Sequence, residues 1–223
     1  MVKINIDNLI RSKRKTISLV VTQDARLIIY APSTTPKEYI QDLVFKKRFW
    51  IKKKQEIARG RYKRNPPKEF VSGEAFLFLG NVYRLEIVDD GIDIELGDSL
   101  KIPKRLLPHA KYSLINWYKK QARMKIAERV DWYAKLTGVQ YESIKITEAE
   151  RRLGSCGISG RLNFSWRLIM APLGIIDYVV IHELSHLEHK NHSSKFWNKV
   201  KTIVPDYKQR EKWLKDNSFS LTI

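Results

Sequence analysis

The sequence predicts an α+β protein, with strands early in the chain and helices dominating its second half. Three observations carry this. Two pairs of short apolar runs in the first half are each joined by a turn signal, as in hairpins. After residue 110 the apolar residues recur at helical spacing. Four of the five histidines then fall between positions 182 and 192, inside one of those helical patterns.

The elements follow in order. Thr16 to Thr22 and Arg26 to Ala31 are rich in β-branched residues, and Gln23-Asp24-Ala25 joins them as a hairpin. Pro32 ends the second strand, and Ser33-Thr34-Thr35-Pro36 looks like a helix entry. Apolar residues at Ile40, Leu43, Val44, Phe45 and Ile51 predict one helix from Pro36 to about Arg61, and Asn65-Pro66-Pro67 breaks the chain. Ala75 to Leu79 and Val82 to Val88 flank Gly80-Asn81, a second hairpin. Pro103 to Pro108 suggests a lobe boundary, giving a β-rich N-terminal lobe with a basic helix (1–105) and a second domain (106–223).

In the second domain, Lys111 to Leu136 places Leu114, Trp117, Tyr118, Ala122, Ile126, Val130 and Tyr133 near one helical stripe, ended by Thr137-Gly138. Ser143 to Thr147 alternates like a strand. Gly154, Gly157 and Gly160 mark a turn-rich stretch before a further strand, Leu162 to Trp166. Gly174 opens an apolar helix running to about His189. Short helices follow from Ser193 and from Asp206 to Lys215.

Composition limits the function. The 223 residues carry 42 Lys+Arg against 24 Asp+Glu, a net charge of +18. Such an excess favours polyanionic partners, nucleic acid before membrane surfaces. A 43% hydrophobic content excludes a wholly disordered basic tail. The single cysteine, Cys156, excludes a disulfide framework and an all-cysteine zinc site. It fits a reducing compartment and reads as a small core residue rather than a nucleophile. No signal-like or membrane-spanning stretch is visible, so the expectation is a soluble, cytoplasmic protein. The charge is densest from Lys46 to Lys68, with eleven basic residues and one acid, Glu56. Phe49, Trp50 and Tyr62 are interleaved there. They either stack on bases beside phosphate-binding cations or pack inward behind a solvated face.

The chemistry is concentrated in His182-Glu183-Leu184-Ser185-His186, an H-E-x-x-H pattern. Histidines four apart lie one turn apart on one helix face and can converge on one Zn²⁺, or on another divalent ion. Glu183, rotated about 100° from His182, can act as general base toward a metal-activated water. A third ligand is required. His189 lies on the same face but about 10 Å further along the axis, too far for one ion. His192 can swing back if the chain turns at Lys190-Asn191. Glu211 is the competing carboxylate. The H-E-x-x-H-x-x-x-x-x-H spacing is that of the metzincins, but no methionine follows His192, so the Met-turn of that group is missing.

His182-Glu183-Leu184-Ser185-His186-Leu187, Asn191-His192-Ser193 and Phe196-Trp197 together resemble the signature of the YgjP-like metal-dependent hydrolases, relatives of the SprT-like and WLM-type zinc proteases. The resemblance extends upstream to Arg152-Leu153-Gly154-Ser155-Cys156, Leu162-Asn163, Trp166-Arg167-Leu168 and Asp177-Tyr178-Val179-Val180. Leu153 stands where the family usually has Trp. The resemblance implies a zincin-like catalytic half behind the β-rich part, and it implies His192 as the third ligand with His182 and His186. The expected activity is a zinc metallopeptidase acting on protein or peptide. The residues leave two rivals open, a phosphohydrolase acting on nucleotides and a nucleic-acid module with a structural metal. An extended peptide needs a sheet edge, for which Ser143 to Glu148 and Leu162 to Trp166 are candidates. Tyr207, Arg152 and Asn163 are candidates for stabilising a developing oxyanion.

Overall fold

A computed structural model describes residues 4–22, 24–64, 66–150 and 152–223, without the side chains of 61, 63 and 64. Gln23 of the first hairpin, Asn65 of the breaker and the side chains of Arg61, Lys63 and Arg64 in the basic run lie outside that description. The described residues form a mixed α+β structure with three small sheets and six α-helices. Two compact units divide it, Met1–Pro67 and Lys68–Ile223.

The first unit has strands β1 (Asn8–Ser12), β2 (Ser18–Val21) and β3 (Leu27–Pro32), with β3 central, parallel to β1 and antiparallel to β2. β2 and β3 are the expected hairpin, whereas β1 lies in a polar, basic stretch with no strand pattern. Its backbone is recruited by β3, whose Leu27, Ile29 and Ala31 alternate inward. The single helix expected from Pro36 is two, α1 (Lys37–Lys46) and α2 (Arg48–Arg64), parted at Lys47. The Arg48 side chain donates to the Phe45 carbonyl at 2.9 Å, at the end of α1. Ile40, Val44 and Ile51 from the two helices complete the core over β3.

The second unit opens with a four-stranded sheet ordered β4-β5-β7-β6: β4 (Ala75–Phe78), β5 (Asn81–Val88), β6 (Glu95–Leu96) and β7 (Leu100–Pro103). Phe78 pairs with Asn81, so the hairpin turn is Leu79-Gly80, one residue earlier than expected, with both at positive φ. Leu79 N–H and Gly80 N–H donate to the carbonyls of Ile169 and Met170 at 2.8 and 3.1 Å. A Cβ on Gly80 would lie 2.8 Å from Pro172 Cγ, so glycine is required on both counts. These contacts hold the sheet to the segment leading into the histidine helix. Residues 103–108, where the sequence suggests a lobe boundary, therefore lie inside the second unit, and Phe76, Leu85, Leu100 and Ile102 share its core.

Helix α3 (Ala110–Thr137) buries Leu114, Trp117, Tyr118, Ala122, Ile126 and Val130 of the stripe expected from spacing and leaves its last member, Tyr133, half-buried; Gly138 caps it at φ 70°. The third sheet has β10 (Arg161–Ser165) between β8 (Ser143–Thr147) and β9 (Gly154–Cys156). Helix α4 (Leu173–Glu188) carries the histidine motif, followed by α5 (Ser194–Ile203) and α6 (Tyr207–Asn217). Among the described residues no helix is long and apolar enough to cross a membrane.

Helices α3 and α4 are clamped by Arg129 and Asp177. Nε and one terminal nitrogen of the guanidinium donate to the two carboxylate oxygens at 2.6 and 3.1 Å, and both side chains are largely buried. Removing one partner of such a pair strands the other charge, whereas replacing both with apolar groups does not. Asp177→Ala is expected to lower unfolding stability by about 3 kcal/mol, measured by urea titration. Arg129→Met/Asp177→Leu is expected to recover most of that loss. Equal losses in the single and double variants would contradict this role of the clamp.

Candidate metal centre

Helix α4 is almost wholly buried because β9 and helices α3, α5 and α6 pack against it, and its sequence is apolar on nearly every face. His182 and His186 lie one turn apart on it. The helix stops at Glu188, two residues before the expected break. The cap residue His189 is extended, at φ −121° and ψ 97°. The chain then turns through residues 190–193 into α5, and His192 returns toward the motif. The ligating atoms of His182, His186 and His192 all lie within 4.8 Å of one another.

Three features bear on whether these residues suit a metal. Nε2 of His182 faces Nε2 of His192 at 3.1 Å, near the ~3.4 Å that separates two nitrogens bonded at 2.0–2.1 Å in a tetrahedral site. His186 Nδ1 donates to the His189 carbonyl at 3.0 Å, a bond that fixes the tautomer and leaves Nε2 bare. So the backbone of His189 supports the cluster, while its ring is not part of it. Burial, followed by the neighbouring His186 and His192, pushes the His182 imidazole down to about 4, and burial also lowers His186. Both rings are thereby held neutral, the form that donates a lone pair. The donor set fits a divalent metal. Nδ1 of His182 is buried without a hydrogen-bond partner.

Packing behind the histidines comes from α5. Phe196 is fully buried, with its ring centroid 5.0, 4.6 and 4.8 Å from those of His182, His186 and His192. Trp197 stacks on His192 at 5.6 Å and 25°, and Tyr207 stacks on Trp197 at 5.1 Å and 21°. Sequence reasoning uses Phe196-Trp197 only as part of a signature. The i, i+4 pairing of Phe196 with Val200 was the available sign that α5 buries this face. Glu211, the competing ligand, is not in the cluster. It pairs with Lys215 at 2.8 Å, and its charge opposes the lowering of the His182 pKa.

Glu183 lies against β9. Burial pushes its carboxyl up to about 7, against opposing pulls from Arg152 and from a backbone hydrogen bond to Cys156. A Cβ at Gly154 would lie 2.5 Å from Glu183 Oε1, 2.8 Å from its Cγ and 2.9 Å from Val179 Cγ1. Only glycine lets β9 approach α4 this closely. Of the two expected sheet edges, Leu162 to Trp166 falls in the central strand β10 up to Ser165, paired on both sides, and Trp166 lies beyond its end. Ser143 to Thr147 is an edge, but on the far side of β10 from β9. The edge packed on α4 is β9, too short at three residues to show alternation. Tyr207 is engaged in the Trp197 stack. Asn163 bonds Ser155 Oγ at 3.4 Å, and Arg152 is exposed within electrostatic reach of Glu183. Cys156 is a free thiol whose pKa burial raises, so it has no activated-nucleophile character.

Comparison with known proteins adds the family. No curated protein matches the chain. The solved structures matched include the metallopeptidase zymogens abylysin of Pyrococcus abyssi and jannalysin of Methanocaldococcus jannaschii. Their identities are 19% and 18%, each with a TM-score of 0.38. Both alignments cover 41% of this chain, and 93% and 94% of theirs. The YgjP-like metallopeptidase domain matches residues 15–217, nearly the whole chain. The three clustered imidazoles therefore sit in a chain that belongs to the YgjP-like metallopeptidase family.

Proposed function

We propose that this chain is a zinc metallopeptidase in which His182, His186 and His192 hold the metal and Glu183 is the general base. The observation that carries the reading is the convergence of the three imidazoles beside a buried carboxylate on the same helix. Three histidine donors suit catalytic zinc. When bound, the metal supplies Lewis acidity and an acidified water. A carboxylate oxygen of Glu183 would take a proton from the attacking water and pass it to the leaving amine. The backbone of β9, held against Glu183 by Gly154, presents the side not paired to β10 to an extended substrate, which adds as a strand. Membership of a peptidase family favours this substrate class over nucleotides.

Two variants test the assignment. Glu183→Gln is expected to keep the fold and a full complement of metal while hydrolysis of an unfolded protein substrate falls at least a thousand-fold, a barrier rise of about 4 kcal/mol. Wild-type protein treated with a chelator is the control, and nucleoside triphosphates run in parallel separate peptidase from phosphohydrolase activity. Undiminished proteolysis by Glu183→Gln would remove Glu183 from the mechanism. Gly154→Ala is expected to retain metal but lower kcat ten-fold or more, with a smaller change in KM, because the added methyl displaces the carboxylate. An unchanged kcat would show that the contact is not needed.

A further inference from the structure

The first unit exposes aromatic side chains among its cations. Phe45 is 56% exposed, Phe49 72% and Trp50 42%, and Tyr39 and Tyr62 are also exposed. All five lie on α1 and α2. Large rings left in water on a charged helix pair are costly unless something covers them. Their arrangement is specific. The Arg48 guanidinium lies 4.3 Å from the Phe45 ring centroid and 4.5 Å from that of Phe49, so three flat groups are held together at the surface. Trp50, Lys53, Lys54 and Ile57 follow at i, i+3, i+4 and i+7, forming a second exposed row on α2. Among the described residues no lysine or arginine of α1 or α2 is in a salt bridge; the first unit's pair is Arg26 with Asp24.

We propose that this face of α1 and α2 binds single-stranded nucleic acid, with Phe45, Phe49 and Trp50 stacking on bases and the neighbouring lysines contacting phosphates. Flat rings interleaved with cations match a strand that presents a base and a phosphate at every nucleotide. A duplex hides its base faces and would use only the charges. A membrane surface fits less well, because insertion requires a continuous apolar stripe. The inward row of α2 is already occupied, with Ile51 fully buried in the core over β3. The outward rows mix rings with cations instead.

Fluorescence anisotropy of the full chain with labelled oligothymidylate, oligouridylate, a duplex of equal length and anionic vesicles tests this. Tighter binding to one or both single strands than to duplex, weakening steeply as salt rises, is expected. Phe45→Ala/Phe49→Ala should weaken it on the order of ten-fold or more, with an unchanged melting temperature, while Phe49→Trp should retain it. Lys53→Glu/Lys54→Glu should weaken it and flatten its salt dependence. The rival cationic site is a cleft of about 570 Å³ lined by Lys119, Lys120, Arg123 and Lys145. Loss of binding in Lys120→Ala/Arg123→Ala but not in the phenylalanine variant would overturn the proposal. So would equal affinity for duplex, preference for vesicles, or no binding at low salt. The oligothymidylate and oligouridylate arms show whether DNA or RNA is the better ligand.

Discussion

The candidate site depends on a single change of chain direction. An α-helix can bring two histidines to one face, but a third at helical spacing lies about 10 Å along the axis, beyond the reach of one ion. The chain leaves the helix at Glu188, and His192 returns to face His182 at 3.1 Å. Phe196, buried against all three rings, fills the space behind this turn. The same turn directs the His189 carbonyl at His186 Nδ1 and so fixes which nitrogen is bare. Geometry and tautomer thus come from one piece of backbone.

A second constraint comes from β9, which packs on α4. Glu183 is turned off the histidine face by the helical pitch and would be a buried charge with nothing to receive it. Gly154 opens the space it occupies, and a backbone hydrogen bond to Cys156 partly offsets its burial. The sheet hairpin at Leu79-Gly80 and the Arg129–Asp177 clamp both hold the N-terminal end of α4. The sheet at residues 75–103 therefore belongs to the support of the site rather than to a separate lobe.

Much of this was legible in the sequence. His182, His186 and His192 were readable because side-chain chemistry and helical periodicity coincide there, and the buried stripe of α3 followed from spacing alone. Strand β1 was not readable, since its pairing is supplied by β3 and its own residues are polar. The split at Lys47 was hidden because neither Pro nor Gly marks it and the core residues Ile40, Val44 and Ile51 continue a helix-like rhythm. Strand β9, three residues long, has too few positions to alternate. Gly154 read as a turn glycine, and only the tertiary contact with Glu183 reveals its second role. Exposure of Phe49 was likewise undecidable from spacing, because a ring beside lysines fits an inward or an outward face equally well.

On this reading, three histidines hold one divalent metal. Metal content per chain by mass spectrometry, on protein purified without metal-affinity resin and loaded with zinc, tests it most directly. One tightly held ion is expected in wild type, with its loss in His192→Ala and its full retention in Glu211→Gln. Retention in His192→Ala together with loss in Glu211→Gln would contradict it.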